Sequence, residues 1–228
     1  MTSTSLYFLI ILMFFVSLIV QSSVSSKFKK YSQAPVSSGM TGYQAAEAIL
    51  KSAGLDDVKI EMTHGTLSDH YDPMHKTLRL SEGVFKSASV AAVAVASHEA
   101  GHAIQHAEGY QPLMIRTSSV FMVNFGSKLS WPIFFLGLLL GFAPLVNIGI
   151  ALYVLIVLFT LITLPVEFNA SSRAMNLMAA NGIISESERP MARDMLSTAA
   201  KTYVVSAISA ILQLLRLIAI AQGNRRRD

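Results

Sequence analysis

An almost uninterrupted apolar block runs from Leu129 to Val166, and it is about twice as long as one membrane crossing. Gly141, Pro144 and Asn147 lie near its middle, where they favour a tight uncharged turn. One long buried helix is the alternative interpretation, but the length of the block argues against it. The block therefore predicts a transmembrane helical hairpin over residues 119–166.

The composition also indicates a membrane protein. Hydrophobic residues make up 52% of the chain and charged residues 14%, whereas soluble domains contain about a quarter charged residues. The chain has no cysteine, which excludes disulfide scaffolds, thiolate metal sites and cysteine nucleophiles. Its basic residues collect in short runs beside apolar segments, and no phosphate loop or dinucleotide fingerprint is present. We therefore expect a lipid bilayer as a partner and no nucleic acid.

Two further apolar segments lie near the ends of the chain. Leu6–Val24 is barely long enough to span, and we predict that residues 1–26 form an uncleaved transmembrane anchor. A cleaved signal peptide is the competing interpretation, but the segment lacks the preceding positive charge that signal peptides carry. Tyr203–Ile220 contains Gln213 and Arg216, so it could either span the membrane or lie in its interface.

The long polar stretch of the chain lies within residues 27–118, which we predict to form a small α+β region. Residues 41–44 have the spacing of a capping box and predict the start of a short helix. Alternating apolar residues over 58–62 predict a strand. Residues 67–71 and 77–81 flank the turn D-P-M-H-K, a pattern typical of a β-hairpin.

An alanine-rich stretch from about Ser87 predicts a helix that contains the motif S-H-E-A-G-H at residues 97–102. Ser87 or Ser89 can cap the start of this helix, and Gly109 and Pro112 can end it. Histidine and glutamate interrupt the helix too often for it to cross a bilayer.

The spacing of the motif favours a metal site. A step of four residues turns a helix by about 400°, so His98 and His102 project in nearly the same direction and can bind one tetrahedral zinc. Glu99 is rotated by about 100° and can reach a water beside the metal. Gly101 costs about 1 kcal/mol inside a helix, and a close approach by another backbone would explain it. Two helix histidines without a metal are the alternative.

A catalytic zinc has three protein ligands and one open position, so a third ligand must lie elsewhere. The remaining histidines are His64, His70, His75 and His106. His106 lies about 12 Å along the helix from His98, too far to share its metal, and we expect it to support the site or to be solvated. Glu167 directly follows the second predicted crossing, which returns the chain to the side it left. On spacing alone, Glu167 could equally mark the membrane surface.

The sequence resembles a known family over the segments D-H-Y-D-P-M-H-K-T-L-R-L-S and A-A-V-A-V-A-S-H-E-A-G-H-A-I-Q-H-A, at residues 69–81 and 91–107. These segments are similar to the YugP-type neutral zinc peptidases, which are small bacterial membrane proteins. The resemblance covers most of the chain, from Gly39 to about Tyr203. Those proteins are in turn similar to gluzincin membrane peptidases, in which an E-[FY]-x-A-D segment after a transmembrane hairpin provides the third zinc ligand.

The resemblance implies a site and its chemistry. His98, His102 and Glu167 are the implied ligands of Zn²⁺, and Glu99 is the implied general base. Ser171 stands where gluzincins have an aspartate that orients the first histidine. A serine hydroxyl can orient a histidine only weakly, so we expect weaker support at this position.

Two further roles are expected, one for a strand and one for a hydrogen-bond donor. Residues 77–81 resemble the edge strand along which such enzymes hold an extended substrate by backbone pairing. An oxyanion formed during hydrolysis needs a hydrogen-bond donor, and Tyr203, Arg173 and His106 are the candidates. Nothing in the sequence ranks them, and a surface role is the alternative for each.

We thus predict a mainly α integral membrane protein with an N-terminal anchor, a small zincin-like α+β region, a transmembrane hairpin and C-terminal helices over residues 167–228. Its predicted function is a zinc-dependent metalloendopeptidase that cleaves membrane or membrane-adjacent proteins. The alternative is a non-catalytic membrane protein with a structural zinc, or an inactive homologue that only holds substrates. A transporter is disfavoured because the hairpin has few polar residues at mid-depth.

Charge asymmetry predicts the orientation. Basic residues favour the cytoplasmic side, and they lie on the side of the bilayer opposite the uncharged hairpin turn. These residues are K-F-K-K at 27–30, Arg173, Arg189, Arg193 and Lys201. We therefore expect a cytoplasmic site in a bacterial cell membrane. Arg225–Arg227 would conflict with this orientation if the last segment spans, and an interfacial last helix would remove the conflict.

Overall fold

A computed structural model describes residues 3–224, and within them the chain is mainly helical. The predicted basic run Arg225–Arg227 lies outside the described residues. Seven helices and three strands follow one another in the described part. Their bounds are α1 Ser3–Ser32, α2 Gly42–Ser52, β1 Lys59–Thr63, β2 His70–Asp72, β3 Thr77–Ser81, α3 Glu82–Phe85, α4 Val90–Ala107, α5 Gln111–Leu139, α6 Ala143–Ala180 and α7 Arg189–Asn224.

Four of these helices, α1, α5, α6 and α7, are long and apolar enough to cross a membrane. A turn between α5 and α6 is present at residues 140–142, where Gly141 has a positive φ of 64°. It is shorter than predicted, because Pro144 and Asn147 lie in the first turns of α6, where proline is tolerated. Helix α7 runs without a break through Tyr203–Ile220, so this segment has the length and composition of a span. The observed helices agree with an integral membrane protein.

Helix α6 differs from the prediction at its centre. The sequence suggested that one helix ends at Val166 and that another begins at Glu167, but α6 continues through Pro165. A proline inside a helix removes one backbone hydrogen bond and favours a kink. Val166 and Ala170, which follow directly, are fully buried, and their packing offsets that loss. Glu167 therefore lies within a long helix rather than at a helix start.

The three strands form one sheet in the order β1-β3-β2. β1 pairs with β3 in parallel, and β2 pairs with β3 antiparallel, which confirms the predicted hairpin. The prediction that residues 77–81 form an edge strand was wrong, because β3 is central and β1 and β2 are the edges. The parallel pairing with β1 joins distant parts of the chain, and local alternation cannot reveal it.

Residues 20–113 and 165–201 form a compact unit that contains the sheet and α4. The hydroxyl of Ser89 accepts a hydrogen bond from the Ala92 amide and caps the start of α4. The predicted capping box of Thr41 and Gln44 is likewise present at the start of α2. Most residues of α4 are buried, which explains its alanine-rich sequence, since small side chains let neighbouring elements approach from several sides.

The other compact unit holds the apolar segments, within residues 3–19, 114–164 and 202–224 of the described chain. Helices α5 and α6 pack closely there, because a Cβ atom at Gly149 would lie only 2.7 Å from the Cβ of Phe134. The guanidinium of Arg216 lies over two aromatic rings, 4.9 Å from the centroid of Tyr7 and 5.9 Å from that of Trp131. Contacts of this type stabilise a cation in an apolar environment.

Candidate metal centre

Three potential metal-binding side chains converge within the unit that contains the sheet. His98 and His102 come from α4, and Glu167 comes from α6. Their ligand atoms all lie within 4.8 Å of one another. Oε2 of Glu167 is 3.2 Å from Nε2 of His98 and 3.6 Å from Nε2 of His102. The structure thus brings together the three residues that the sequence analysis selected as metal ligands.

These separations suit a tetrahedral zinc ion. Zinc bonds of about 2.0–2.2 Å in a tetrahedral arrangement place neighbouring ligand atoms about 3.3–3.6 Å apart. Two imidazoles and one carboxylate are also a ligand set that catalytic zinc sites use with an open fourth position. The residues present therefore fit a zinc ion in their chemistry and in the distances from Glu167 to both histidines.

The balance of charges also favours a metal ion at this cluster. The side chain of Glu167 is only 2% exposed, and a buried carboxylate needs a compensating positive charge. Burial by itself lowers the pKa of His102, but the carboxylates of Glu167 and Glu99 outweigh that effect and raise this pKa. The two carboxylates thus favour a positive charge beside them, and a divalent cation would supply it.

Gly101 allows the two ligand-bearing helices to approach each other. A Cβ atom at this position would lie 3.0 Å from the carbonyl oxygen of Ala170 on α6. Ala170 lies between Glu167 and Ser171 along that helix. The close backbone approach that the sequence analysis expected at Gly101 is confirmed, and it is what places Glu167 within reach of both histidines.

We expect Gly101→Ala to weaken zinc binding by about fivefold, because overpacking of about 1 kcal/mol at this crossing would push α6 and Glu167 outward. Alanine also favours the helix by about 1 kcal/mol, so the thermal stability of the metal-free protein should change little. Zinc competition titrations and thermal melts of the two proteins measure both quantities. Gly83→Ala is the control, since a Cβ there meets no atom within 4 Å. Equal zinc affinity of Gly101→Ala and wild type would contradict this expectation.

The second nitrogen of each imidazole has its own partner. Nδ1 of His98 lies 3.2 Å from Oγ of Ser171, and Nδ1 of His102 lies 3.0 Å from Oε1 of Gln105. Metal-binding histidines usually have such a group on the nitrogen that does not bind the metal. Ser171 thus contacts His98, and its role in orienting this imidazole stays a prediction. Sequence reasoning missed Gln105, although its position three residues after His102 puts it on the same side of α4.

The side chain of Glu99 extends from α4 to the edge strand β2. The backbone N–H of Tyr71 donates a hydrogen bond of 3.1 Å to Oε2 of Glu99. Burial raises the pKa of Glu99, the charges of His102 and His98 oppose this rise, and those of Glu167 and Asp69 add to it. A carboxylate whose pKa moves toward neutrality is better suited to exchange protons near neutral pH.

The other predicted residues are distributed as follows. Nδ1 of His106 lies 2.9 Å from the hydroxyl of Tyr71. Arg173 donates from Nε to Oδ1 of Asn169 at 2.7 Å, so it is already engaged. Tyr203 belongs to the other compact unit. The remaining histidines are exposed, and none of them joins the cluster within the described residues: His64, His70 and His75.

Comparison with known proteins agrees with this geometry. A family profile described as "Putative neutral zinc metallopeptidase" matches residues 6–222. The chain belongs to this family. As a member of this zinc metallopeptidase family, it has Zn²⁺ as its expected cofactor, and the resemblance stated from the sequence is confirmed.

One relative is "Putative membrane protease YugP" of Bacillus subtilis strain 168. The two sequences are 46% identical over 205 residues, which cover 90% of this chain and 91% of the relative. No solved structure matches the chain. The name of the relative and the four apolar helices together indicate an integral membrane protein.

Proposed function

We propose that this protein is a membrane-embedded zinc metalloendopeptidase whose zinc is bound by His98, His102 and Glu167. The observation that carries the proposal is the convergence of these three side chains at 3.2 and 3.6 Å, with the carboxylate of Glu99 on the same helix. A structural zinc site usually has a fourth protein ligand. No fourth histidine or acidic residue joins the cluster in the part of the chain that the structure describes.

In the proposed reaction, a zinc ion held by His98, His102 and Glu167 would act as a Lewis acid towards the scissile carbonyl and would make a nearby water more acidic. Glu99 accepts a proton from the attacking water while the new C–O bond forms. It then passes this proton to the amine nitrogen as the C–N bond breaks. The Tyr71 amide holds one oxygen of Glu99 in place during these transfers.

For the developing oxyanion, His106 is a better donor candidate than Arg173. Burial raises the pKa of Tyr71 to about 12, so its hydroxyl keeps its proton and can donate to Nδ1 of His106. When Nδ1 of His106 accepts this hydrogen bond, Nε2 is the ring nitrogen that carries a proton and can donate. Arg173, in contrast, is bound to Asn169 and forms an ion pair with Glu108.

The substrate is proposed to be an extended segment of a membrane or membrane-adjacent protein. The strand that pairs with the substrate is proposed to be β2 rather than β3. β2 is an edge of the sheet and contacts Glu99 through Tyr71. Backbone pairing with an edge strand holds a peptide without requiring a particular sequence. The basic residues of the unit that contains the site favour a cytoplasmic location in a bacterial membrane.

The test is peptide hydrolysis by detergent-purified protein that contains one zinc per chain. We expect cleavage of a quenched fluorescent peptide library, inhibition of this cleavage by a chelator, and recovery after one equivalent of zinc is added. A protein that holds one zinc but cleaves no peptide in the library would favour the alternative, in which the zinc is structural or the protein only holds its substrates.

A further inference from the structure

We infer that Gln105 is a positioning residue that sets the orientation and the tautomer of His102, and that Asn169 and Arg173 on α6 hold Gln105 in place. This inference rests on the proposed zinc site and extends it to residues that do not contact the metal. It also explains why a fully buried amide lies beside the cluster.

All hydrogen-bonding atoms of the Gln105 side chain are engaged on defined partners. Oε1 lies 3.0 Å from Nδ1 of His102. Nε2 donates to the carbonyl oxygen of Val166 and to Oδ1 of Asn169, each at 2.9 Å. The side chain is 0% exposed, so no solvent competes for these bonds. Buried polar groups with complete partners hold a fixed geometry.

The chemistry of each partner determines which atoms of the network donate hydrogen bonds and which accept them. A backbone carbonyl can only accept, so the atom of Gln105 that faces Val166 must be the amide nitrogen. Arg173 can only donate, so the atom of Asn169 that it contacts, and that also faces Gln105, must be the amide oxygen. The oxygen of Gln105 is therefore left to face His102.

An amide oxygen accepts and cannot donate, so Nδ1 of His102 must carry the proton. In the neutral imidazole the lone pair then lies on Nε2, the nitrogen 3.6 Å from Glu167. This is the tautomer that a metal at the cluster requires. Gln105 thus selects the tautomer that can bind zinc, and it orients the ring at the same time.

The polar network that starts at Gln105 on α4 also ends on α4, at Glu108. Nη2 of Arg173 lies 2.6 Å from Oε2 of Glu108, the C-cap residue of α4. Because Glu108 is half exposed, this ion pair adds little by itself, and the main effect of Arg173 is on Asn169. A row of polar residues on α4 is thereby joined to a row on α6 beside the metal ligands.

The support of the two histidines is unequal. His98 has the hydroxyl of Ser171 at 3.2 Å, and a hydroxyl rotates and can either donate or accept. His102 has an amide whose other end is held by two further hydrogen bonds. The loss of Gln105 should therefore weaken zinc binding, although Gln105 itself does not bind the metal.

The experiment compares zinc affinity, measured by chelator competition, in wild type, Gln105→Met and Gln105→Glu. Methionine has a similar size but no acceptor, and we expect zinc binding to weaken by about 10- to 100-fold, with a changed absorption spectrum of the cobalt-substituted protein. Glutamate keeps an acceptor for Nδ1 of His102, so it should restore zinc affinity toward wild type. It should still lower the melting temperature of the metal-free protein, because its second oxygen faces Val166 and Asn169. Gln111→Met, at an exposed glutamine, is the matched control.

The outcomes separate this inference from the proposed function. Wild type that binds no zinc would overturn the proposed site and the role of Gln105 together. Wild type that binds zinc no more tightly than Gln105→Met would overturn the role of Gln105 alone. A parallel loss of zinc affinity in the Met and Glu variants would indicate a structural effect and contradict it too. If Gln105→Met does not fold, Asn169→Leu provides the test. We expect this variant to lose zinc affinity, but less than the loss predicted for Gln105→Met. An unchanged zinc affinity would overturn the inference.

Discussion

Substitution of Glu99 by Gln is expected to lower peptide hydrolysis by about 10²- to 10⁴-fold, the usual contribution of a positioned general base. Glutamine has nearly the same shape, and its amide oxygen can still accept the hydrogen bond from the Tyr71 N–H. It cannot take a proton from water at neutral pH. The protein should therefore keep one zinc per chain and its fold while turnover is lost. Steady-state rates on the cleaved peptide and zinc content per chain measure both effects.

Glu82→Gln is the matched control, because Glu82 is an exposed helix glutamate whose partner in an ion pair is Lys86. This variant should have the rate and the zinc content of wild type. Turnover that survives in Glu99→Gln would show that another group takes the proton. Loss of zinc in Glu99→Gln would instead show that Glu99 helps to build the metal site, and the assigned role would be wrong.

Glu167→Ala is expected to weaken zinc binding by more than about 100-fold, since it removes a ligand and even groups behind the ligands contribute 10- to 100-fold. Loss of hydrolysis should follow. The metal-free variant should also lose some stability, because His98 and His102 lose the buried carboxylate that they contact, and the loss should be larger when zinc is present. Zinc content after dialysis and melts with and without zinc give these quantities.

Glu186→Ala is the control that tests whether the loss of zinc is particular to Glu167. Glu186 is a glutamate with an 82% exposed side chain shortly after the end of α6. It should match wild type in zinc content and in the stabilisation that zinc provides. If Glu167→Ala retains one tightly bound zinc, the third ligand lies elsewhere. If it loses stability equally with and without zinc, Glu167 supports the fold rather than the metal.

Some of this site could be predicted from local sequence because its cause is local. The helix that contains His98 and His102 follows from its capping serine, its alanine-rich sequence and its terminating glycine. The four-residue spacing then places both imidazoles on one side, whatever lies around the helix. The apolar length of the other segments likewise predicts spans, since the thickness of a bilayer sets the required length.

Other features depend on contacts between distant parts of the chain. The central position of β3 requires the parallel partner β1, which local alternation does not reveal. Proline usually ends or bends a helix, so the continuity of α6 through Pro165 depends on the packing around it. Glu167 was suggested by a family resemblance, while its spacing alone left a surface role equally open.

The polar network around Gln105 is the feature that the sequence predicts least. Gln105 lies 61 residues from Val166 and 64 from Asn169, and nothing in the chain order indicates that these groups meet. The sequence by itself determined the helices, the apolar spans and the direction in which the two histidines project. Only the tertiary structure decided the distance between α4 and α6, which Gly101 and Ala170 set at their crossing. Hydrogen bonds and metal ligands act over a few ångströms, so that distance determines which side chains can share one site.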